Sequence, residues 1–240
     1  MDLPSFLPIA AILFFAILTQ SITGFGLALI AMPLLITILD PITAGALMAL
    51  VGLPLQFIIL RRYRHALQFH AVWRTMIGAA IGVPIGIIAL TRLDESIILT
   101  GLGIILVSYA LYSLARLKLP TIERQSWGVG FGIVSGMLSG AFNTGGPPLA
   151  IYGACRQWQP DVFKANMQLL LMFNSLMVAG AHLLSGHMTP TVWGYFALVA
   201  IPLLLIATTL GFKISTRVDE RLFRDLILVL LLLIGVRLLL

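Results

Sequence analysis

The sequence predicts an all-α integral membrane protein made of two inverted-topology repeats, each a glycine-broken segment followed by three transmembrane helices. Composition is the first observation, since 60% of the residues are hydrophobic and only 10% are charged, against about 25% charged in a soluble domain. Second, several apolar stretches of roughly 20 residues lack the polar–apolar alternation of membrane-barrel strands. Third, a glycine-rich interruption of an apolar stretch occurs once in each half.

The two interruptions read Gln20-Ser-Ile-Thr-Gly-Phe-Gly26 and Ser139-Gly-Ala-Phe-Asn-Thr-Gly-Gly-Pro-Pro148. An interrupted helix leaves backbone N–H and C=O groups without partners, and hydrocarbon cannot satisfy them. Such breaks are tolerated only where they are buried in protein or line a polar cavity. Each break is expected to be either two spans or a re-entrant pair of half-helices. Two breaks in corresponding positions predict the substrate site of a transporter.

One membrane domain is expected over residues 1–240, with the first repeat at about 3–116 and the second at about 127–240. Recurring pairs indicate the repeat: Thr91-Arg-Leu-Asp-Glu95 and Thr216-Arg-Val-Asp-Glu220, Val72-Trp73 and Val192-Trp193, Asp40-Pro41 and Gln159-Pro160, Gly86 and Gly211. The helices after the breaks are expected at about 42–60, 73–90, 97–115, 163–184, 192–210 and 223–240. The apolar N-terminus has no positive flank, which predicts a retained helix. Because the sequence ends at Leu240, no soluble regulatory domain is expected after the last helix.

Loop charge predicts the topology. If each broken segment were a single span, the 15 Lys and Arg residues would divide almost evenly between the two faces, against the positive-inside rule. If each broken segment returns to its starting side, all of them except Arg92 and Arg237 fall on one face. That face is expected to be cytoplasmic, with both termini outside the inner (cytoplasmic) membrane. Topology then explains the net charge of +6, and no nucleic-acid partner is expected.

The helices that follow the breaks would begin near Gly26 and Gly146, where free N–H groups and the positive end of the helix dipole attract an anion. No Asp, Glu, Lys or Arg lies in the middle third of an expected helix, which favours a small anion over a cation. The predicted substrate-binding residues are Gln20, Ser21, Thr23, Gly24, Phe25, Gly26, Ser139, Asn143, Thr144, Gly145, Gly146, Pro147 and Asn166. Alternatively, the glycines only let helices pack closely. For Asn166 and the other amides of the apolar stretches, Gln56, Gln168 and Asn174, interhelical hydrogen bonding is an equal explanation. His182 is better explained as a snorkelling or structural histidine.

No catalytic residue, metal or cofactor is expected. The single cysteine, Cys155, excludes an internal disulfide and a cysteine-based metal cluster. An intramembrane enzyme would need a nucleophile with a base or paired acidic ligands, and neither Ser135 nor Ser139 has a mid-membrane partner of that kind. A membrane scaffold or assembly factor is the other alternative.

Five sequence features together suggest a known family. They are the paired breaks, Gly145-Gly-Pro-Pro148 followed one helical turn later by Tyr152, Pro160 at the start of the next helix, Leu184-Ser-Gly-His at its end, and the Thr-Arg-x-Asp-Glu loops. In these features the whole chain resembles the sulfite exporter TauE/SafE family of membrane permeases. Members often have a longer glycine run at the first break than Gly24-Phe-Gly26. The resemblance implies a secondary transporter for a small anion, a sulfur oxyanion such as sulfite or an organosulfonate.

The expected mechanism is alternating access, with one half rocking against the other around the site. An inside-negative potential drives an anion outward by roughly 2.3 kcal/mol per charge per 100 mV, so export is the expected direction. The expected partners are the anion and the lipid bilayer, and a homo-oligomer is left open.

Overall fold

A computed structural model describes residues 3–92, 94–115, 119–215 and 220–239, and over these residues the chain is helical with short connections. The all-α prediction is therefore confirmed for the described residues. Parts of two sequence arguments lie outside them: most of the loop at 216–220, and the basic residues Arg116, Lys118 and Arg217.

The helices are α1 (Leu3–Thr23), α2 (Leu27–Leu35), α3 (Pro41–Tyr63), α4 (Phe69–Arg92), α5 (Glu95–Leu114), α6 (Trp127–Phe142), α7 (Gly146–Cys155), α8 (Pro160–Leu184), α9 (Pro190–Tyr195), α10 (Ile201–Ile214) and α11 (Glu220–Leu239). A π-helical segment, Phe196–Ala200, joins α9 to α10. Each of the six predicted helices coincides with an observed one to within about a turn at either end, although the predicted helix at 192–210 contains the π-helical segment.

All six helices begin one to four residues earlier than predicted, and a proline in the first turn accounts for three of these differences. Pro41, Pro160 and Pro190 each open a helix, where the missing proline N–H costs nothing. The Asp40 carboxylate accepts a hydrogen bond from the backbone N–H of Thr43 at 2.9 Å, so the first turn of α3 is capped.

The two breaks have the same construction. A long helix ends at Thr23 or Phe142, three residues follow, and a short helix begins at Leu27 or Gly146. The first residue after each long helix has a positive φ, +87° at Gly24 and +55° at Asn143, and glycine and asparagine are the residues that adopt this conformation most readily.

The short helices cannot cross a membrane. α2 has 9 residues and α7 has 10, which correspond to about 14 Å and about 15 Å of helix, half of a hydrocarbon core of roughly 30 Å. α2 packs against α1, and α7 packs against α6. Each break therefore joins a longer helix to a half-helix, which removes the alternative of two complete spans.

Five helical segments among the described residues are long and apolar enough to span a membrane: Phe6–Thr23, Pro41–Ala66, Phe69–Arg92, Pro160–Leu184 and Pro190–Ile214. Large apolar side chains cover their outer surfaces, and Leu184 is 90% exposed. An apolar surface of this extent fits a lipid environment.

Helices of the two halves interlock through glycines. Gly78, Gly82 and Gly86 of α4 face α6, where Gly132, Gly136 and Gly140 face back. A Cβ placed on Gly132 would lie 2.1 Å from the backbone oxygen of Thr75, so the two backbones are in direct contact. On the other side α10 packs against α1, and further close pairs between the halves are α3–α8, α5–α11 and α4–α8.

Candidate functional site

Both breaks line one cavity between α2, α3, α7 and α8. The residues that line it are all uncharged: Gln20, Gly26, Leu27, Ala28, Leu29, Met48, Gly52, Gln56, Asn143, Thr144, Gly146, Leu171 and Ser175. Five of the predicted binding residues are among them, namely Gln20, Gly26, Asn143, Thr144 and Gly146. The structure thus brings the two breaks together, although they are more than 110 residues apart in sequence.

The first break is held by two glutamines. Gln20 Oε1 accepts a hydrogen bond from the backbone N–H of Leu27 at 3.1 Å, so this side chain caps the start of α2. Gln20 Nε2 donates to Gln168 Oε1 of α8 at 3.3 Å, and Gln168 Nε2 donates to the carbonyl oxygen of Gly24. Gln168 therefore ties the end of α1 and, through Gln20, the start of α2 to one helix.

The second break is held by an asparagine of the same helix. Asn174 Nδ2 donates to the hydroxyl oxygens of Ser139 at 2.8 Å and Ser135 at 3.0 Å. Ser135 Oγ in turn donates to the carbonyl oxygen of Gly145 at 2.9 Å. A Cβ on Gly145 would lie 2.1 Å from Ser139 Oγ, so only glycine fits this contact. α8 fixes both breaks, with Gln168 at one and Asn174 at the other.

Asn143 connects the second break to α3, because its Nδ2 donates to the carbonyl oxygen of Gly45 at 3.0 Å. The same residue lines the cavity. A change of the backbone at Asn143 would therefore move the cavity wall and the start of α3 together.

The other predicted residues lie away from the cavity lining. Ser21 donates to the carbonyl oxygen of Ile17 at 2.7 Å and faces Gly211 of α10, since it is one residue, about 100° of helix, beyond Gln20. Thr23 Oγ1 lies 2.9 Å from the carbonyl oxygen of Thr19. Asn166 Oδ1 accepts from the backbone N–H of Gln68 at 3.0 Å, in the connection between α3 and α4.

The Phe25 ring stacks edge-on against Tyr109 and Phe163, with centroids 6.1 Å and 6.4 Å apart. Gly24, Ser139, Gly145 and Pro147 shape the breaks without lining the cavity. These residues therefore lie in or beside the breaks but outside the lining of this cavity.

Eight lining residues were not among the predicted binding residues, and two of them, Gln56 and Ser175, have polar side chains. Gln56 of α3 is 4% exposed, and its Oε1 atom has no hydrogen-bond partner. Ser175 of α8 lies opposite, and a Cβ on Gly52 would meet its hydroxyl at 2.9 Å. The available signal was the spacing of Gly52 and Gln56, which are four residues apart and share one face of α3.

Unpaired polar atoms mark the cavity as a place for a ligand. Gln56 Oε1 and Thr144 Oγ1 are both buried without a partner, and Thr144 is 1% exposed. Leaving a buried polar group unsatisfied costs about 1–3 kcal/mol. A ligand that accepts a hydrogen bond can pair with the Thr144 hydroxyl, whereas Gln56 Oε1 is an acceptor and needs a donor such as water.

The two half-helices offer different donors. At the start of α2, Gln20 occupies the N–H of Leu27, and the next two N–H groups, of Ala28 and Leu29, have no carbonyl within the helix. At the start of α7, Pro147 and Pro148 carry no N–H. α2 therefore supplies backbone donors, whereas the second break supplies the side chains of Asn143 and Thr144.

Comparison with known proteins agrees with this architecture. Residues 9–238 match the family model described as sulfite exporter TauE/SafE. A relative from Cupriavidus necator, described as a probable sulfite/organosulfonate exporter TauE, is 32% identical over 203 residues, which are 80% of this chain and 77% of that protein. No solved structure matches the chain. The match covers nearly the whole sequence, and the chain is a multi-pass membrane protein that belongs to the sulfite exporter TauE/SafE family.

Proposed function

We propose that this protein is a secondary permease that exports a small anion, sulfite or an organosulfonate, across the inner membrane. Family membership supports a membrane transporter rather than an enzyme. The observation that carries the proposal is the cavity where the two breaks meet, whose lining residues are uncharged. The named relative supports the substrate class, since its description is that of a sulfite/organosulfonate exporter.

The proposed anion lies at the N-terminus of α2, opposite the second break. Backbone N–H groups and the positive end of a helix dipole favour an anion there. Thr144 can donate its hydroxyl hydrogen, and Gln56, which also lines the cavity, can donate only from its amide nitrogen Nε2. A transported cation would be expected to find a carboxylate at this depth, whereas the residues that line the cavity are uncharged.

The order and pairing of the helices support the inverted repeat. α1 to α5 correspond in order to α6, α7, α8, the α9–α10 unit and α11. Exchanging the halves turns the α4–α6 contact into the α10–α1 contact, and it returns α3–α8 and α5–α11 to themselves. A two-fold pseudo-symmetry with the site near its axis is the arrangement of inverted-repeat transporters.

This packing changes the expected moving parts. The backbone-to-backbone contact between α4 of the first half and α6 of the second half supports a movement in which these two helices stay together. We propose that the moving bodies are mixed, one containing α4 and α6 and the other α1 and α10. The cavity lies between the two breaks that these bodies carry.

The proposed orientation places the α3–α4 connection in the cytoplasm, because Arg61, Arg62 and Arg64 lie at this end of α3 and are exposed or partly exposed. Both termini would then be outside. The membrane potential would favour outward movement of an anion without a second ion.

Gln56→Leu tests the site directly. The substitution keeps the size of the side chain but removes the amide from the cavity wall, so we expect sulfite flux into proteoliposomes to fall at least tenfold, the equivalent of about 1.4 kcal/mol. Gln68→Leu is the matched control, because Gln68 is an exposed glutamine outside the cavity. Equal flux in both folded variants would contradict the proposed site.

A further inference from the structure

We propose that two histidines at the end of α8, His182 and His187, bind protons and thereby control transport, with His182 as a positioning residue of the second break. The contact between the two rings holds while at least one ring is neutral and is lost when both are protonated. Transport should therefore fall in acid. This consequence rests on the proposed function, whereas the histidine pair itself can be tested by stability alone.

The two imidazole rings are in direct contact. His182 Nδ1 lies 3.1 Å from His187 Nδ1, and the ring centroids are 5.3 Å apart. Two nitrogens at this distance share one hydrogen, so one ring donates and the other accepts. When both rings are cationic, each Nδ1 carries a hydrogen, and two donors of like charge face each other. Protonation of both rings therefore breaks the contact.

The same two residues close the C-terminus of α8. The backbone N–H of His187 donates to the carbonyl oxygen of His182 at 2.9 Å, and that of Gly186 donates to the carbonyl oxygen of Leu183 at 3.2 Å. With φ of +74° at Gly186, these bonds form a Schellman motif, in which a hydrophobic contact often accompanies the longer bond. Here the contact is between two imidazoles, so the cap of α8 depends on their protonation.

His182 also packs beside the second break. It is 2% exposed, and its Nε2 atom has no hydrogen-bond partner among the described residues. A Cβ on Gly45 would lie 3.3 Å from this Nε2 atom and 3.6 Å from Asn143 Nδ2. The carbonyl oxygen of Gly45 accepts the hydrogen bond of Asn143, which lines the cavity. A displaced His182 ring would therefore remove the packing at the residue that holds Asn143.

The elements around His182 present few groups that titrate. Among the described residues, His187 is the titratable side chain in contact with it. α3 presents Gly45 and the second break presents Asn143, and α4 packs against the neighbouring turn of α8 with Val83. None of these three side chains changes charge with pH, so the histidine pair is the group whose protonation this part of the protein senses.

The charged groups of the same elements lie farther away. Asp40 and Arg92, both exposed, occupy the nearer ends of α3 and α4, and the Asp40 carboxylate is bound to the first turn of its own helix. The other charged and titratable groups of α3, α4 and α7 lie toward the opposite end of α8, where His65 is 3.8 Å from Asp161.

The proposed repeat places a matching contact at that opposite end. α8 begins 119 residues after α3, and this offset relates His182 to Tyr63 and Gly45 to Lys164. Lys164 Nζ lies 5.5 Å from the ring centroid of Tyr63, and a Cβ on Gly24 of the first break would meet Lys164 Cγ at 3.2 Å. An aromatic ring thus faces the equivalent position beside each break, which supports a positioning role for His182.

Thermal unfolding in detergent tests the histidine pair without transport. His187→Ala removes the contact, so at about pH 8 it should melt about 2–4 °C below the unmodified protein. At about pH 4, below the range in which histidine ordinarily changes charge, the two should melt together. His187→Asn keeps a hydrogen-bonding partner for either form of His182 and should melt above His187→Ala at both pH values. A deficit of His187→Ala that is the same at both pH values would overturn the inference.

Methanesulfonate flux into proteoliposomes tests the effect on transport. This anion keeps its charge over the whole range, and equal pH on both sides removes any proton gradient. The flux of the unmodified protein should be at least about fivefold lower at the acid pH, whereas that of His187→Asn should not change. His70→Asn is the matched control, because His70 is an exposed histidine at the other end of α4 from Arg92, and it should keep the pH response.

The outcomes separate the two proposals. If the unmodified protein and His187→Asn lose flux equally in acid, His182 does not position the second break through this contact, and the proposed function stands. If neither methanesulfonate nor sulfite is carried, the proposed function fails, and the melting temperatures still decide whether the histidine pair binds protons as proposed.

Discussion

Replacing Gly132 by alanine tests the contact on which the mixed moving bodies depend. Gly132 lies in the middle of α6, and a Cβ there would meet the backbone oxygen of Thr75 at 2.1 Å. Ordinary contacts of a Cβ atom begin at 3.4 Å, so α4 and α6 would have to separate locally by about 1.3 Å. The obstacle is backbone, which cannot change rotamer to make room.

The magnitude follows from a comparison within the same helix. Gly130 is two residues away, and a Cβ on it would meet nothing within 4 Å. Both substitutions gain the helix propensity of alanine, about 1 kcal/mol, but only Gly132→Ala overpacks the interface, which costs typically 1–3 kcal/mol. The two variants should therefore differ in free energy of unfolding by about 1–3 kcal/mol, with Gly130→Ala the more stable.

The assay is thermal unfolding of both purified variants in the same detergent, followed by circular dichroism. At about 2–4 °C per kcal/mol for a chain of this size, Gly132→Ala should melt at least 2 °C below Gly130→Ala. Equal melting temperatures would refute the backbone contact between α4 and α6. They would also remove the support for a movement in which these two helices stay together.

Two further predictions concern the breaks and the cap of α3. Gln168→Leu removes the hydrogen bonds to Gln20 and Gly24. It should lower sulfite flux at least tenfold and the free energy of unfolding by about 1–3 kcal/mol per unpaired group. The exposed Gln68→Leu should change neither quantity, and equal behaviour of the two variants would contradict the role of Gln168. Burial would raise the pKa of the Asp40 carboxyl, but its hydrogen bonds from Thr43 outweigh burial and hold the pKa below its usual value. The cap therefore stabilises the protein above the unfolded-state pKa and is lost as pH falls through the lower folded-state pKa. Asp40→Ala should cost about 1 kcal/mol at neutral pH and less in acid, and a cost that does not depend on pH would contradict this.

Much of the fold could be predicted because hydropathy and helix punctuation are local signals. The breaks follow from Gly24, Gly26 and Gly145 inside apolar stretches, and Pro41 and Pro160 mark helix starts. The choice between half-helices and complete spans was left open because it depends on where α2 and α7 end. No strong signal for the end of a helix directly follows Leu35 or Cys155. The π-helical segment at Phe196–Ala200 has no signal in the sequence pattern.

The site could be predicted by segment but not by side chain. Gln20 and Ser21 are adjacent, yet Gln20 contacts α8 and the cavity whereas Ser21 packs against α10. Which side of α1 faces which helix depends on the tertiary packing, and the sequence does not specify it. For Gln56 and Gln168 the sequence favours substrate contact and interhelical hydrogen bonding equally. Only the tertiary contacts show that Gln56 lines the cavity and that Gln168 is hydrogen-bonded to the first break.

The glycine spacing in α4 and α6 could have predicted the contact between these two helices. Gly78, Gly82 and Gly86 recur at every fourth residue, as do Gly128, Gly132, Gly136 and Gly140, which is the spacing of closely packed membrane helices. The sequence argument applied close packing only as an alternative for the breaks, where most of the glycines serve the turn instead.

The most direct test of the account is the flux of labelled sulfite and methanesulfonate through proteoliposomes with the membrane potential clamped at both signs. The account predicts that an anion moves toward the positive side without a proton or sodium gradient, and that Gln56→Leu abolishes most of this flux while Gln68→Leu does not. Flux that requires a cation gradient would contradict export driven by the potential alone. No flux of either anion from folded protein would contradict the anion site between the two breaks.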